Sequence, residues 1–268
     1  MNIRGCLIDI DGVISVGDTP IAGAQKTISY LEKHSIPFRF LSNTTRKSRK
    51  TIAQKLASFG ITVLPQFIIT PPVAAIAWLK QRGIDRCSLL VTGDVAGDFL
   101  EEGITISEGD APVIIIGDAG DNFTYRSMKK VFRQVMDGAE CIALERDRYW
   151  MDTDGLTLGA GPFVAGIEYA TGKPAHLLGK PSKEFFLLAC NSMDLAPEEC
   201  IMVGDDIFSD IGGAQAAGIR GFLVRTGKYN RDVAEASGIS HTLIGSVADL
   251  VSYLYLPYQG RALASHRI

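Results

Sequence analysis

The sequence predicts an α/β protein: a doubly wound, Rossmann-like core with a largely parallel sheet, carrying a second, inserted α/β domain. Two observations carry this reading. Short apolar runs alternate with amphipathic stretches along the 268 residues, the rhythm of parallel strands joined by helices. Two breaks, Thr70-Pro71-Pro72 and Gly172-Lys173-Pro174, enclose a stretch with its own strand–helix alternation, about a hundred residues long and enough for a small domain. The core is therefore expected at residues 1–71 and 175–268 and the inserted domain at 72–174; one continuous doubly wound sheet is the alternative. Strands are expected at 5–10, 37–41, 88–92, 113–117, 141–144, 175–178, 200–204 and 221–225. Helices are expected at 22–34, 48–59, 72–82, 125–137, 161–170, 183–193, 208–217 and 247–254.

Four strand ends carry unusual chemistry. The opening run Cys6-Leu7-Ile8-Asp9-Ile10-Asp11-Gly12 reads as a buried strand broken by glycine. Alternation along a strand sends Asp9 and Asp11 to one side at its carboxyl end, where open α/β sheets bind ligands. Two acids crowded there repel each other and resist burial. A solvated acidic turn is the plainer reading.

The second strand, Phe38 to Leu41, runs into Ser42-Asn43-Thr44-Thr45 and then a helix bearing Arg46, Lys47, Arg49 and Lys50. Hydroxyls, an amide and a helix N-terminus make a receptor for phosphate oxygens, unless Ser42, Asn43 or Thr44 simply caps the helix. Leu177-Leu178-Gly179-Lys180-Pro181-Ser182 ends a strand and opens a helix with Pro181 near its first turn. Lys180 offers a point charge to a phosphoryl group; the plainer reading is a surface lysine. Last, Ile201-Met202-Val203-Gly204 presents Asp205, Asp206 and Asp210 within six residues. Asp206 or Ser209 suits a helix cap, and Asp210 the first turn. Capping alone does not explain why Asp9, Asp11, Asp205 and Asp210 all fall where strand ends converge. A hard divalent cation does: magnesium accepts a couple of carboxylates, keeps several waters and completes its shell with substrate phosphate.

Composition narrows the partners. Hydrophobic residues make 46% and charged residues 21%, an ordinary globular balance. A formal net charge of −3 argues against a nucleic-acid surface. The cysteines (Cys6, Cys87, Cys141, Cys190, Cys200) are scattered and odd in number, which suits reduced core thiols better than disulfides or zinc. No apolar stretch approaches the ~18 residues of a membrane helix, and Asp9 and Asp11 interrupt any signal-like run. A cytoplasmic protein without membrane or nucleic-acid partners is the expectation. Gly159-x-Gly161 falls short of a dinucleotide fingerprint, because the next glycine is Gly166; no P-loop is present. His34, His176, His241 and His266 lack metal-ligand spacing.

Asp9-x-Asp11-Gly12, Ser42-Asn43-Thr44, Lys180-Pro181 and Gly204-Asp205-Asp206-x-x-x-Asp210 together resemble the four ordered motifs of the haloacid dehalogenase-like phosphatases, without departure. The long segment between the second and third motifs is similar to the large cap of the class IIA subgroup, with Gly159-Ala160-Gly161-Pro162-Phe163 and Glu168-Tyr169-Ala170-Thr171 resembling its closing segment. The resemblance implies that Asp9 is the nucleophile and Asp11 the general acid/base. It implies that Asn43, Thr44 and Lys180 bind phosphate, that Asp9, the carbonyl of Asp11 and Asp205 hold Mg2+, and that a homodimer forms through the cap.

The implied activity is magnesium-dependent hydrolysis of a small phosphorylated metabolite through an aspartyl-phosphate. A phosphomutase or phosphotransferase would use the same residues. A non-enzymatic phospho-ligand sensor would not need an intact nucleophile and acid, and a dehalogenase would not need Asp11 or a metal cluster. In the inserted domain, Glu145-Arg146-Asp147-Arg148-Tyr149-Trp150 precedes an Asp154-Gly155 turn and suits a loop whose Arg148 and Tyr149 contact a leaving group. A solvated hairpin with Tyr149 and Trp150 packed inside is the plainer reading.

Overall fold

The computed structural model describes residues 3–152 and 155–254; Asp154 of the expected turn and His266 lie outside the described residues. The chain divides into two compact units. One takes the residues up to Ser42, Ala53–Ile68 and those described from Phe186 onward; the other takes Asn43–Ile52 and Ile69–Phe185.

The first unit is built on a six-stranded sheet ordered Thr242–Ile244, Arg220–Val224, Cys200–Gly204, Gly5–Asp9, Phe38–Leu41, Ile68–Ile69. The opening strand lies inside it, paired in parallel from Gly5↔Cys200 to Ile8↔Val203 on one side and from Cys6↔Phe38 to Asp9↔Leu41 on the other. Every residue of Gly5–Asp9 and Cys200–Gly204 is buried, which is why these strands read as unbroken apolar runs rather than alternating ones. The helix Ala24–Lys33 buries Ala24, Thr27, Ile28 and Leu31, one stripe at helical spacing.

The second unit has its own five-stranded sheet, ordered His176–Leu177, Glu140–Ala143, Val113–Ile116, Arg86–Leu90, Thr105–Ile106, all parallel. The helix Tyr125–Met136 starts in a capping box between Thr124 and Ser127. Its Val131 and Val135 pack with Leu90, Ile114, Ile116, Ala143, Val164 and Ile167. An antiparallel ribbon, Tyr149–Asp152 with Gly155–Leu158, stands apart from this sheet.

The second unit is wider than the 72–174 expected for the inserted domain, for two physical reasons. His176–Leu177 hydrogen-bonds in register with Ile142 and Ala143, so the residues after 174 belong to the second sheet. The amides of Ser48 and Arg49, at the start of the helix Arg49–Ser58, are held by Asp94 and Asp98, which ties residues 43–52 to the same unit. The helix expected at 208–217 is instead a π-helical turn, Ile207–Gly212, followed by the short helix Gly213–Ala216. The sequence reading also passed over the short hairpin Ser15–Val16/Thr19–Pro20 and the helices Ala96–Glu101 and Arg231–Ala236. No helix among the described residues is long and apolar enough to cross a membrane.

Candidate active site

In the first unit the register does most of the positioning. One step past Ile8↔Val203, Asp9 closes its strand beside Gly204, and Asp205 follows at once. Asp9, Asp205 and Asp210 present carboxylate oxygens within 4.8 Å of one another, and all are buried, at 5%, 4% and 1% exposure. Such a cluster of buried like charges suits a hard cation.

The backbone fixes two of the three. Asp210 Oδ2 accepts from the amides of Asp205 (3.2 Å) and Asp206 (3.1 Å), while Asp205 Oδ2 accepts from Lys228 N (2.7 Å). Three glycines make room. A Cβ at Gly204 would strike the Asp210 side chain, and one at Gly12 or Gly227 would strike Asp205 Oδ2. Gly12 and Gly227 also sit at φ +85° and +67°, the left-handed region open to glycine. Thr226 Oγ1 donates to Gly12 O, tying the two loops together.

The Thr226-Gly227-Lys228 loop was not anticipated. Its only signal in the sequence is a glycine shortly after the apolar strand Arg220–Val224. The alternation argument also needs correcting for Asp11. The strand ends at Asp9; Asp11 falls in the following turn, exposed, and its carboxylate is not part of the buried cluster. Asp206 does act as a cap, accepting from Phe208 N (2.9 Å) and Ser209 N (3.0 Å). Asp210 sits deeper than a first-turn residue needs, because the π-helical turn swings it back beneath Gly204. Ser42 is buried, directly after Leu41, whose carbonyl accepts from Ile10 N (3.1 Å).

In the second unit, Asn43 Oδ1 accepts from Lys180 N at 3.0 Å, so the second and third motifs meet through a side chain and a backbone amide. Gly179 permits this: a Cβ there would crowd Leu144 O, Asn43 Oδ1 and Pro71. Lys180 is buried, 5% exposed, and so is not a surface lysine. Ser42, Asn43 and Thr44 do not cap the next helix. That helix begins only at Arg49, and its first amides are taken by carboxylates: Ser48 N donates to Asp94 (2.8 Å) and Arg49 N to Asp98 (3.1 Å to Oδ2). The helix N-terminus is therefore not available to phosphate, which corrects that part of the expectation. Burial pulls the Asp94 carboxyl upward, but hydrogen bonds from Ser48 and Thr51 hold it below its ordinary value; Asp98, more deeply placed beside Arg49, is raised by burial.

Two further acids follow strands of the second sheet. Asp118 accepts from Gly120 N (2.9 Å) and lies 3.8 Å from the Arg46 guanidinium. Burial, reinforced by the nearby Asp147 and Asp118, pushes Glu145 up to about 7 against the pull of two backbone amides. Arg148 and Tyr149 are exposed, Tyr149 by 61%; the packed-inside reading fails for Tyr149. Trp150, on the other side of the ribbon, is partly buried with the Arg46 guanidinium 5.4 Å from its ring centre.

Comparison with known proteins adds to this geometry. A family model described as haloacid dehalogenase-like hydrolase matches residues 6–105, and a second, HAD-hydrolase-like, matches 177–250. The chain is 39% identical over 227 residues to the cattle haloacid dehalogenase-like hydrolase domain-containing protein 2, covering 85% of this chain and 86% of that protein. It is 36% identical over 234 residues to the phospholysine phosphohistidine inorganic pyrophosphate phosphatase of Xenopus laevis, covering 85% of each. Among solved structures, the p-nitrophenyl phosphatase of Archaeoglobus fulgidus superposes with a TM-score of 0.88 at 25% identity, over 94% of this chain and all of that one.

Proposed function

The chain belongs to the haloacid dehalogenase-like hydrolases and is a phosphoric monoester hydrolase; on that premise we propose that it hydrolyses small phosphorylated metabolites with Mg2+ through an aspartyl-phosphate on Asp9. The observation that carries the reading is the buried cluster of Asp9, Asp205 and Asp210 under its three glycines. Backbone amides account for part of its charge, at Asp205 and Asp210. A hard cation matches the all-oxygen donor set.

Asp9, Asp205 and the carbonyl of Asp11 would hold the ion, with Asp210 orienting the Asp205 backbone. When bound, the ion offsets repulsion among the acids and neutralises charge on the phosphoryl oxygens. An Asp9 carboxylate oxygen attacks phosphorus as the bond to the leaving oxygen breaks. Asp11, exposed in the turn after the strand, gives that oxygen a proton, then takes one from the water that cleaves the phosphoaspartate and restores Asp9. Motif order assigns Ser42, Asn43, Thr44 and Lys180 to the phosphate oxygens, where fixed donors stabilise the charge of an in-line transition state. Arg148 and Tyr149 on the ribbon are assigned to the leaving group.

The test is a panel of phosphate esters with purified protein, scored for free phosphate so that hydrolysis is separated from transfer. Activity is expected to vanish with a chelator and return with magnesium. Calcium is expected to restore it poorly, because its longer bonds and larger shell disturb in-line attack. Full turnover in a demonstrably metal-free sample overturns the reading.

A further inference from the structure

We infer that Glu145 is the positioning residue of the ribbon Tyr149–Leu158, fixing both of its feet to the end of the second sheet and so governing which leaving groups the ribbon accepts. The second half of this inference rests on the assignment of Arg148 and Tyr149 made above.

Glu145 stands two residues beyond the strand Glu140–Ala143 and is only 5% exposed. Glutamate is almost never buried without a partner, and the proposed chemistry does not use it. Its two oxygens have separate tasks. Oε2 accepts from Asp147 N at 2.5 Å, two residues before the ribbon begins; Oε1 accepts from Ala160 N at 2.8 Å, two residues after it ends. The carboxylate thus bridges the entering and leaving chains.

Two backbone bonds close the same base: Gly159 N to Arg148 O (3.2 Å) and Gly161 N to Asp147 O (3.0 Å). A Cβ at Gly159 or Gly161 would run into the carbonyl oxygen of Asp147, and at Gly161 into that of Arg146 as well. The Gly159-x-Gly161 pattern, unsuited to a dinucleotide, is accounted for as a close crossing of chains around this clasp.

The ribbon needs an anchor of this kind. A lone two-stranded hairpin is marginal in water. Tyr149 faces Leu158 and Met151 faces Leu156 in its register, and all four side chains are exposed. Packing on that side therefore does not fix its attitude; the feet do, together with Trp150 against Arg46 on the other side. Both amides are donors, so two acceptor oxygens on one rigid planar group match them, and a carboxylate is the side chain that supplies both.

Glu145→Gln tests the inference, since it is nearly isosteric but sets an NH2 group against one of the two amides. Glu145→Asp, which keeps both acceptors on a shorter arm, guards against a folding artefact. Hydrogen exchange in residues 145–161 is measured above about pH 8, where both Glu145 oxygens are acceptors, together with kcat and KM for p-nitrophenyl phosphate, a sugar phosphate, a nucleoside monophosphate and pyridoxal phosphate. The Gln variant is expected to speed exchange at the two feet about tenfold, the size of one lost hydrogen bond. It is expected to reorder KM among the larger esters while p-nitrophenyl phosphate turnover stays within about twofold, with Asp recovering part of the wild-type ranking. Unchanged exchange at the feet overturns the clasp. Faster exchange with an unchanged ranking overturns the link to selection. A wild-type enzyme that turns over none of the panel with magnesium present overturns the hydrolytic reading and with it that link, while exchange at the feet still decides the clasp.

Discussion

In the first unit, Asp9 at the end of its strand and Asp205 and Asp210 after Cys200–Gly204 gather into one buried cluster; in the second, the acids that follow Arg86–Leu90, Val113–Ile116 and Glu140–Ala143 are dispersed, each against its own donors. Both sheets are parallel and both place acids in the loops after their strands. The difference is what receives the negative charge. Asp94 takes the Ser48 amide and two hydroxyls, Asp118 takes an amide and approaches Arg46, and Glu145 takes two amides. Their charge is consumed in holding backbone. In the first sheet the carboxylates are brought together more closely than repulsion favours, and that repulsion is what a bound cation would relieve. An acid after a strand is thus a site only where the sheet order makes it meet another.

The largest expected effect separates the two kinds directly. Asp9→Asn should lower p-nitrophenyl phosphate turnover by at least about 10³-fold, because a neutral amide does not form the phosphoaspartate. Its thermal midpoint should hold or rise as repulsion falls. Near-wild-type turnover in a verified pure variant removes the nucleophile.

A pair of glycines gives the next test, with identical φ of +67° and opposite surroundings. Gly83 has nothing within reach of an added Cβ, whereas Gly227 meets Asp205 Oδ2 and Gly12. Gly83→Ala should cost only the left-handed backbone penalty, about 1–2 kcal/mol. Gly227→Ala should cost more in stability and also raise the magnesium concentration needed for half-maximal rate. Equal denaturation midpoints and equal metal titrations for the two variants would show that the cradle around Asp205 is slack.

For Glu145, the carboxyl is raised from 4.5 to about 7 in the fold, mainly by burial. The folded protein then binds the proton more tightly than the unfolded chain. Its contribution is fully present below the unfolded value of about 4.5 and is lost as pH rises through about 7. Relative to Glu145→Gln, the wild type should lose on the order of 3 kcal/mol across that window and change little above it. A pH-independent difference in unfolding free energy would refute the shift.

The smallest effect belongs to a capping carboxylate. Asp94→Ala should destabilise by about 1 kcal/mol, the usual cost of a lost helix cap. Turnover should change by less than about twofold, as for substitutions remote from the chemistry. A large loss of turnover at unchanged stability would mean that the dispersed acids are not merely structural.

What could be read in the sequence was what a strand displays locally. The run Cys6 to Asp9 and the run Cys200 to Gly204 are apolar because both faces are covered, so their ends, and the acids there, were legible. Asp205 directly follows the second of these runs and Asn43 lies two residues past the mostly buried strand Phe38–Leu41, whereas Lys180 follows the short, half-exposed pair His176–Leu177. The parts that escaped depend on partners far away in the chain. Asp94 caps a helix 46 residues earlier, and nothing near Ser48 announces it. His176–Leu177 belongs to the second sheet because of Ile142 and Ala143, a pairing no local pattern encodes. The π-helical turn at Ile207–Gly212 sets Asp210 under Gly204, whereas its sequence reads as an ordinary helix start. Asp11 was misplaced by one assumption, that strand alternation continues past the last paired residue.

The order of strands in the first sheet also sets a timetable. Gly5–Asp9 is made long before Cys200–Gly204, one of its two neighbours. At 5–20 residues per second, a ribosome needs roughly 10–40 s to pass from Asp9 to Asp205, about 200 residues later. Throughout that interval the opening strand keeps an unpaired edge, and by its end the whole of Ile69–Phe185, with its own sheet, has been made. The nascent chain therefore acquires its second unit before Asp9 and Asp205 meet, and the interval before residue 200 is when the opening strand is most open to capture by a chaperone or by another chain.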